Sequence, residues 1–153
     1  MILKFMQNNH QKQIATYIHL STFARFVIPF GNIIGPTILW KMNKHRSQFI
    51  DDHGKQAINF QITNGIYTVI VGAIWIPIFF LEFINKISLH GFNALQNFPL
   101  NGFGFSPLIV FGGILSFIGF LDFLFELVFI LKASKYAKKG ESFNYPITYN
   151  FIK

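Results

Sequence analysis

Cysteine is absent from the chain, and acidic residues are scarce, with six Asp and Glu among 153 residues. The first absence excludes disulfides, thiolate metal sites and cysteine nucleophiles, and leaves the compartment open. Charge of either sign is thin at 12% of residues, against roughly a quarter in an ordinary soluble domain. Apolar residues fill the space, at 52% of the chain, and Phe alone occupies 21 positions. A water-soluble domain of this length has too little interior to hide them, so lipid is the expected solvent. The formal charge of +7 raises nucleic acid as a partner. The Lys and Arg residues, however, cluster in loops between apolar runs, which suits a bilayer with anionic headgroups and not nucleic acid. The opening "MILKFMQNNHQKQIATYIHL" lacks the basic start, unbroken apolar core and small-residue cleavage site of a signal peptide, and is expected to be retained.

A bilayer core of about 30 Å needs about 20 helical residues. Three segments qualify, at about 14–40, 62–84 and 107–131, and predict a single all-α membrane domain over 1–153 with three transmembrane helices. Basic residues beside the spans set the orientation. Lys41, Lys44, Arg46 and Lys55 follow the first span, and Lys132, Lys135, Lys138, Lys139 and Lys153 follow the third, whereas the loop at 85–106 holds only Lys86. The first loop and the tail at 132–153 are therefore expected in the cytoplasm of a bacterium, as parts of a multi-pass inner-membrane protein. Lys41, Lys44, Arg46, Lys132, Lys135, Lys138 and Lys139 are expected to meet lipid headgroups. Three full crossings put the N-terminus outside; a re-entrant hairpin turning at "GNIIGP" keeps it inside.

The segment at about 47–61 has a different pattern from the spans. At 100° per residue, Phe49, Ile50, His53, Ala57, Ile58 and Phe60 share one half of a helix, opposite Asp51, Asp52, Lys55, Gln56 and Asn59. This predicts an amphipathic helix in the cytoplasmic interface, capped by Ser47 and leading into the second span. Within the first span, Pro29, Gly31, Asn32, Gly35 and Pro36 predict a bend or unwound stretch, because each proline lacks an N–H and disturbs the preceding turn. Two readings of it stand: a discontinuous helix beside a pathway, and a kink that wraps the first span around the others.

Charges inside the spans carry the sharper signal, since each costs about 2.5 to 3.5 kcal/mol at a helix centre. Asp122 and Glu126 lie four residues apart on one face, with Gly112, Ser116 and Gly119 on the same stripe. Gln61, Gly65, Thr68 and Gly72 make a comparable stripe on the second span, and the two stripes are expected to meet. Arg25 is expected to pair with Asp122, with Glu126 snorkelling or joining the network. A register-fixing pair, an ion pathway and separately snorkelling side chains are the readings open for this trio. Asp51, Asp52 and His53, with His45 nearby, hint at a metal, but adjacent helical residues point about 100° apart and converge poorly; no metal site or cofactor is expected. His19 is expected as a polar residue at the outer interface. No triad, carboxylate pair or phosphate loop stands in its required context, so a non-enzymatic protein is expected.

Three blocks, "HLSTFARFVIPFGNIIGPTILW", "FIDDHGKQAINFQIT" and "YPITYNFIK", resemble in order and spacing the Tic-twenty-like family. These are small bacterial membrane proteins related to a component of the chloroplast inner-envelope import translocon. The resemblance implies an accessory or scaffold role in protein translocation or membrane-protein assembly, with a membrane-protein partner or a homo-oligomer. The alternative, from the residues alone, is a small oligomeric channel or transporter using Asp122, Glu126 and Arg25.

Overall fold

A computed structural model describes residues 2–90 and 107–153, and every described regular element is helical. Helix α1 (Ile2–Leu20) runs into a 3-10 turn, Ser21–Phe26, and returns as α2 (Gly31–Asn43). A short 3-10 turn, Lys44–Arg46, leads to α3 (Gln48–His90), and α4 spans Pro107–Lys139. Part of the 85–106 loop, residues 91–106, lies outside the described residues. The chain forms two compact units: residues 1–66 with 125–153, and residues 67–124.

Among the described residues two helices, not three, are long and apolar enough to cross a bilayer, at Gln48–Leu81 and Val110–Lys139. Their most apolar windows are 0% and 11% buried within the protein. Low burial sets them apart from the core helices of a soluble protein and makes both candidate membrane spans. In the second unit the helices touch through large side chains, with the Trp75 and Phe111 ring centroids 5.7 Å apart. The glycines of the small-residue stripes are not points of close approach: a Cβ added at Gly65, Gly112 or Gly119 meets nothing within 4 Å among the described residues.

The segment at 14–40 is a helical hairpin and not a spanning helix. Its break falls at Val27–Phe30, ahead of "GNIIGP", and Phe30 turns the chain with φ 58° in the left-handed region. Gly31, Asn32, Gly35 and Pro36 then sit inside α2. Their smallness lets the arms close: a Cβ on Gly31 meets the Ala24 backbone, and one on Gly35 lies 2.5 Å from the Ser21 carbonyl.

The predicted interfacial helix is the start of α3. Ser47 caps it as expected, accepting the Ile50 N–H at 3.3 Å. Its apolar half is covered by the hairpin and not by lipid. Ile50, Ala57 and Ile58 form a core with Ile18 and Trp40, against which Ile14 and Ile62 pack. Phe60 joins Ile130, Ala133 and Tyr145 in a second core. His53 is buried among them and Phe49 half-buried, and Lys55 pairs with Asp51.

Helix α4 ends at Lys139, followed by Gly140 with φ 87°. The "ITYNFIK" tail forms no strand and lies along α3 as a strap. The Asn59 amide donates to the Ile152 carbonyl at 3.0 Å and its oxygen accepts the Ile152 N–H at 2.9 Å. Thr63 Oγ1 accepts the Tyr149 N–H at 3.1 Å. Asn59→Ala removes both bonds to Ile152 and is expected to cost about 1 to 2 kcal/mol. Limited proteolysis in detergent is then expected to cut residues 146–153 first, while the wild-type tail stays protected.

Candidate functional site

The polar side chains of the first unit gather in two layers along the hairpin. The layer at its tip joins Arg25, Asn32, Gln61 and Glu126. Arg25 Nη1 donates to Glu126 Oε2 in an ion pair, and Asn32 Nδ2 donates to Gln61 Oε1 at 2.8 Å. The Glu126 side chain is 3% exposed and that of Arg25 39%. Glu126 Oε1 and Gln61 Nε2 are buried without hydrogen-bond partners among the described residues. Sequence reasoning gave Arg25 to Asp122; the ion pair observed is with Glu126, one helical turn further on, and Asp122 lies in the second unit, half-buried. With the Arg25 guanidinium bonded to a carboxylate rather than facing a passage, the arrangement is a clamp between hairpin tip and α4.

The second layer is a chain of three buried groups. Tyr145 Oη lies 2.9 Å from His19 Nδ1, and His19 Nε2 lies 2.8 Å from His53 Nδ1. Burial, with the Glu126 charge adding to it, pushes the Tyr145 hydroxyl well above its ordinary range, so it keeps its proton. The bonding then runs one way: Tyr145 O–H donates to His19 Nδ1, and His19 Nε2–H donates to His53 Nδ1. The reverse order leaves the tyrosine proton buried with no acceptor. Burial, reinforced by the neighbouring His53, lowers the His19 pKa to about 3, so the ring is neutral at neutral pH. Phe60 stacks on Tyr145 at 4.2 Å between centroids, and Phe49 meets His53 edge-on at 4.4 Å, walling the chain in.

His53 Nε2 ends the chain, with no hydrogen-bond partner of good geometry among the described residues. Beside it opens a cavity of about 450 Å³ lined by Asp52, Gln56, Asn144, Asn150 and Lys153. At the hairpin's open end, Trp40 Nε1 donates to Asp51 Oδ1 at 2.8 Å. The Trp40 indole also fills the space where Gly54 has no Cβ. Among the described residues no group of three or more His, Asp or Glu could hold a metal ion.

His19 is thus fully buried and not at an interface. The sequence reading missed its partner Tyr145 and the strap-holding role of Asn59. One signal was available: His53 sits on the apolar half of its helix, where a polar ring needs a buried partner. The expected headgroup lysines Lys132, Lys135, Lys138 and Lys139 are exposed on α4, as are Lys41 and Arg46; Lys44 lies over the Trp40 ring at 4.8 Å.

Comparison with family profiles matches residues 10–152 to MamF_MmsF, the magnetosome magnetite crystal formation protein family. Comparisons with curated proteins and with solved structures find no match. The family match overturns the Tic-twenty-like resemblance and both roles drawn from sequence: the accessory in translocation or assembly, and the channel or transporter. The blocks behind that resemblance form the hairpin, the start of α3 and the strap. They build the bundle.

Proposed function

We propose a function from one premise: the chain belongs to the magnetosome magnetite crystal formation family. On that premise it is a membrane protein of the magnetosome acting in magnetite crystal formation. Its role there is non-enzymatic. The buried polar groups bind one another, Arg25 to Glu126 and His19 to His53 and Tyr145, which supports a structural use for them. The observation that carries the reading is the match over residues 10–152.

The first unit faces the cytoplasm, because the basic residues flanking both spans belong to it: Lys41, Lys44 and Arg46 before α3, and Lys132 to Lys139 at the end of α4. These residues hold anionic headgroups, and a second copy or another membrane protein packs beside the apolar faces of α3 and α4. Deleting the gene in the source organism is expected to change magnetite crystal size or number in electron micrographs, with restoration by the intact gene. A fluorescent fusion is expected to follow the magnetosomes. Unchanged crystals, with the fusion spread evenly over the cell membrane, would overturn the reading.

A further inference from the structure

The sequence of the hairpin tip, Arg25 to Phe30, is apolar apart from its arginine, yet all six residues are exposed. Val27 is 84% and Phe30 76% bare, although both begin and end beside well-packed helices. An exposed apolar patch at the end of a bundle marks contact with something other than water. The two long helices fix where that patch sits. Arg25 is bonded to Glu126, six residues before Lys132 on α4, and Asn32 to Gln61, six residues after Lys55 on α3. Each offset is about 9 Å of helix. Both rulers therefore put the tip about 9 Å inside Lys132 on α4 and Lys55 on α3, within the roughly 15 Å that one leaflet contributes to a hydrocarbon core.

The same depth is apolar on the neighbouring helices. Phe125 and Val128 on α4 are exposed within two residues of Glu126, and Ile66 on α3 is exposed five residues beyond Gln61. At the other end the hairpin is polar, with Lys12 against Gly140 and Lys41 exposed at the end of α2. The 13 residues of α2 reach about 20 Å, short of the roughly 30 Å needed to cross. We infer that the α1–α2 hairpin is a re-entrant wedge, its Phe26–Phe30 tip embedded in the acyl chains of the leaflet that carries the lysines. The protein then crosses the membrane twice, and both ends of the chain lie on one side. The occupant of the tip surface is lipid: its exposed apolar surface continues that of the spans, and its basic collar matches headgroups at the right depth. The ion pair at the tip holds the wedge at that depth, since neither partner faces acyl chains alone. This rests on the reading of α3 and α4 as spans.

The lack of cysteine makes the test direct. Val27→Cys, Ile70→Cys, Gln13→Cys and Lys153→Cys are each spin-labelled or thiol-labelled in the full chain. Accessibility to oxygen and to a water-soluble nickel chelate is read in phosphatidylcholine–phosphatidylglycerol vesicles, and sidedness with an impermeant maleimide in spheroplasts. Val27 is expected to lose chelate contact as fully as Ile70 while keeping oxygen contact, at a shallower depth. Gln13 and Lys153 are expected to react from the same side. Chelate contact at Ile70 overturns the spans themselves. With Ile70 in lipid, chelate contact at Val27 overturns the wedge. Shielding of Val27 from both reagents means protein covers the tip, and overturns it too. Gln13 and Lys153 on opposite sides mean a full crossing, and overturn it as well.

Discussion

Arg25→Met is expected to cost about 3 kcal/mol of stability, and adding Glu126→Gln to recover most of that loss. The asymmetry follows from burial. Glu126 is almost fully enclosed and already has one oxygen without a partner, so removing the guanidinium strands a carboxylate where it is poorly solvated. Breaking a buried pair costs about 3 to 5 kcal/mol. The lower end applies because the Arg25 side chain is partly exposed. Neutralising Glu126 as well removes the stranded charge and leaves a neutral amide, which costs far less to bury. Thermal unfolding in detergent of wild type, both single variants and the double variant closes a cycle whose coupling term is the pair's interaction. Strict additivity would show that the two side chains do not interact.

Acid is expected to loosen the bundle through His19. Its folded pKa, about 3, is below the ordinary histidine value, so between pH 6.5 and 3 the unfolded chain binds a proton that the folded chain refuses. Above that window both states are neutral and the burial is free of this penalty. As pH falls through it, stability drops by about 1.4 kcal/mol per unit, or about 2 kcal/mol between pH 7 and 5. The groups facing His19 sharpen the effect: protonating the ring puts an N–H against the tyrosine hydroxyl hydrogen, and His53 lies 2.8 Å away on the other side. His19→Gln keeps polar atoms in the site but has nothing to titrate. Its midpoint is expected to be lower than wild type at pH 7, and its loss between pH 7 and 5 smaller by the His19 share. An equal acid loss in both proteins would place the sensitivity elsewhere.

Much of the architecture was legible from local signals. The spans around 62–84 and 107–131 stand out because uninterrupted apolar runs of that length have few other uses. Ser47 marked a helix start by chemistry that acts within one turn. The segment at 14–40 misled because a run of that length and hydropathy satisfies one crossing or two half-crossings equally. What decides between them is the position of Arg25 on α4, a contact across 101 residues. Helical spacing placed Asp122 and Glu126 on one face and had no means of choosing between them. The start of α3 was correctly divided into two faces, but a wheel shows that a face is buried and not what buries it. Here the cover is the hairpin, with Trp40 seated on Gly54. Asn59 was assigned to the wet side because its strap partner, Ile152, is distant in sequence and offers only backbone.

The strap also determines when the protein becomes complete. His19 and Arg25 emerge early from the ribosome, but their partners Tyr145 and Glu126 follow 126 and 101 residues later. Until then the early cation has no anion and the early imidazole no hydroxyl. The bundle therefore locks only after Tyr145 has been made, and a ribosome stalled before the Glu126 codon leaves a nascent chain in which helices α1 and α2 cannot yet settle.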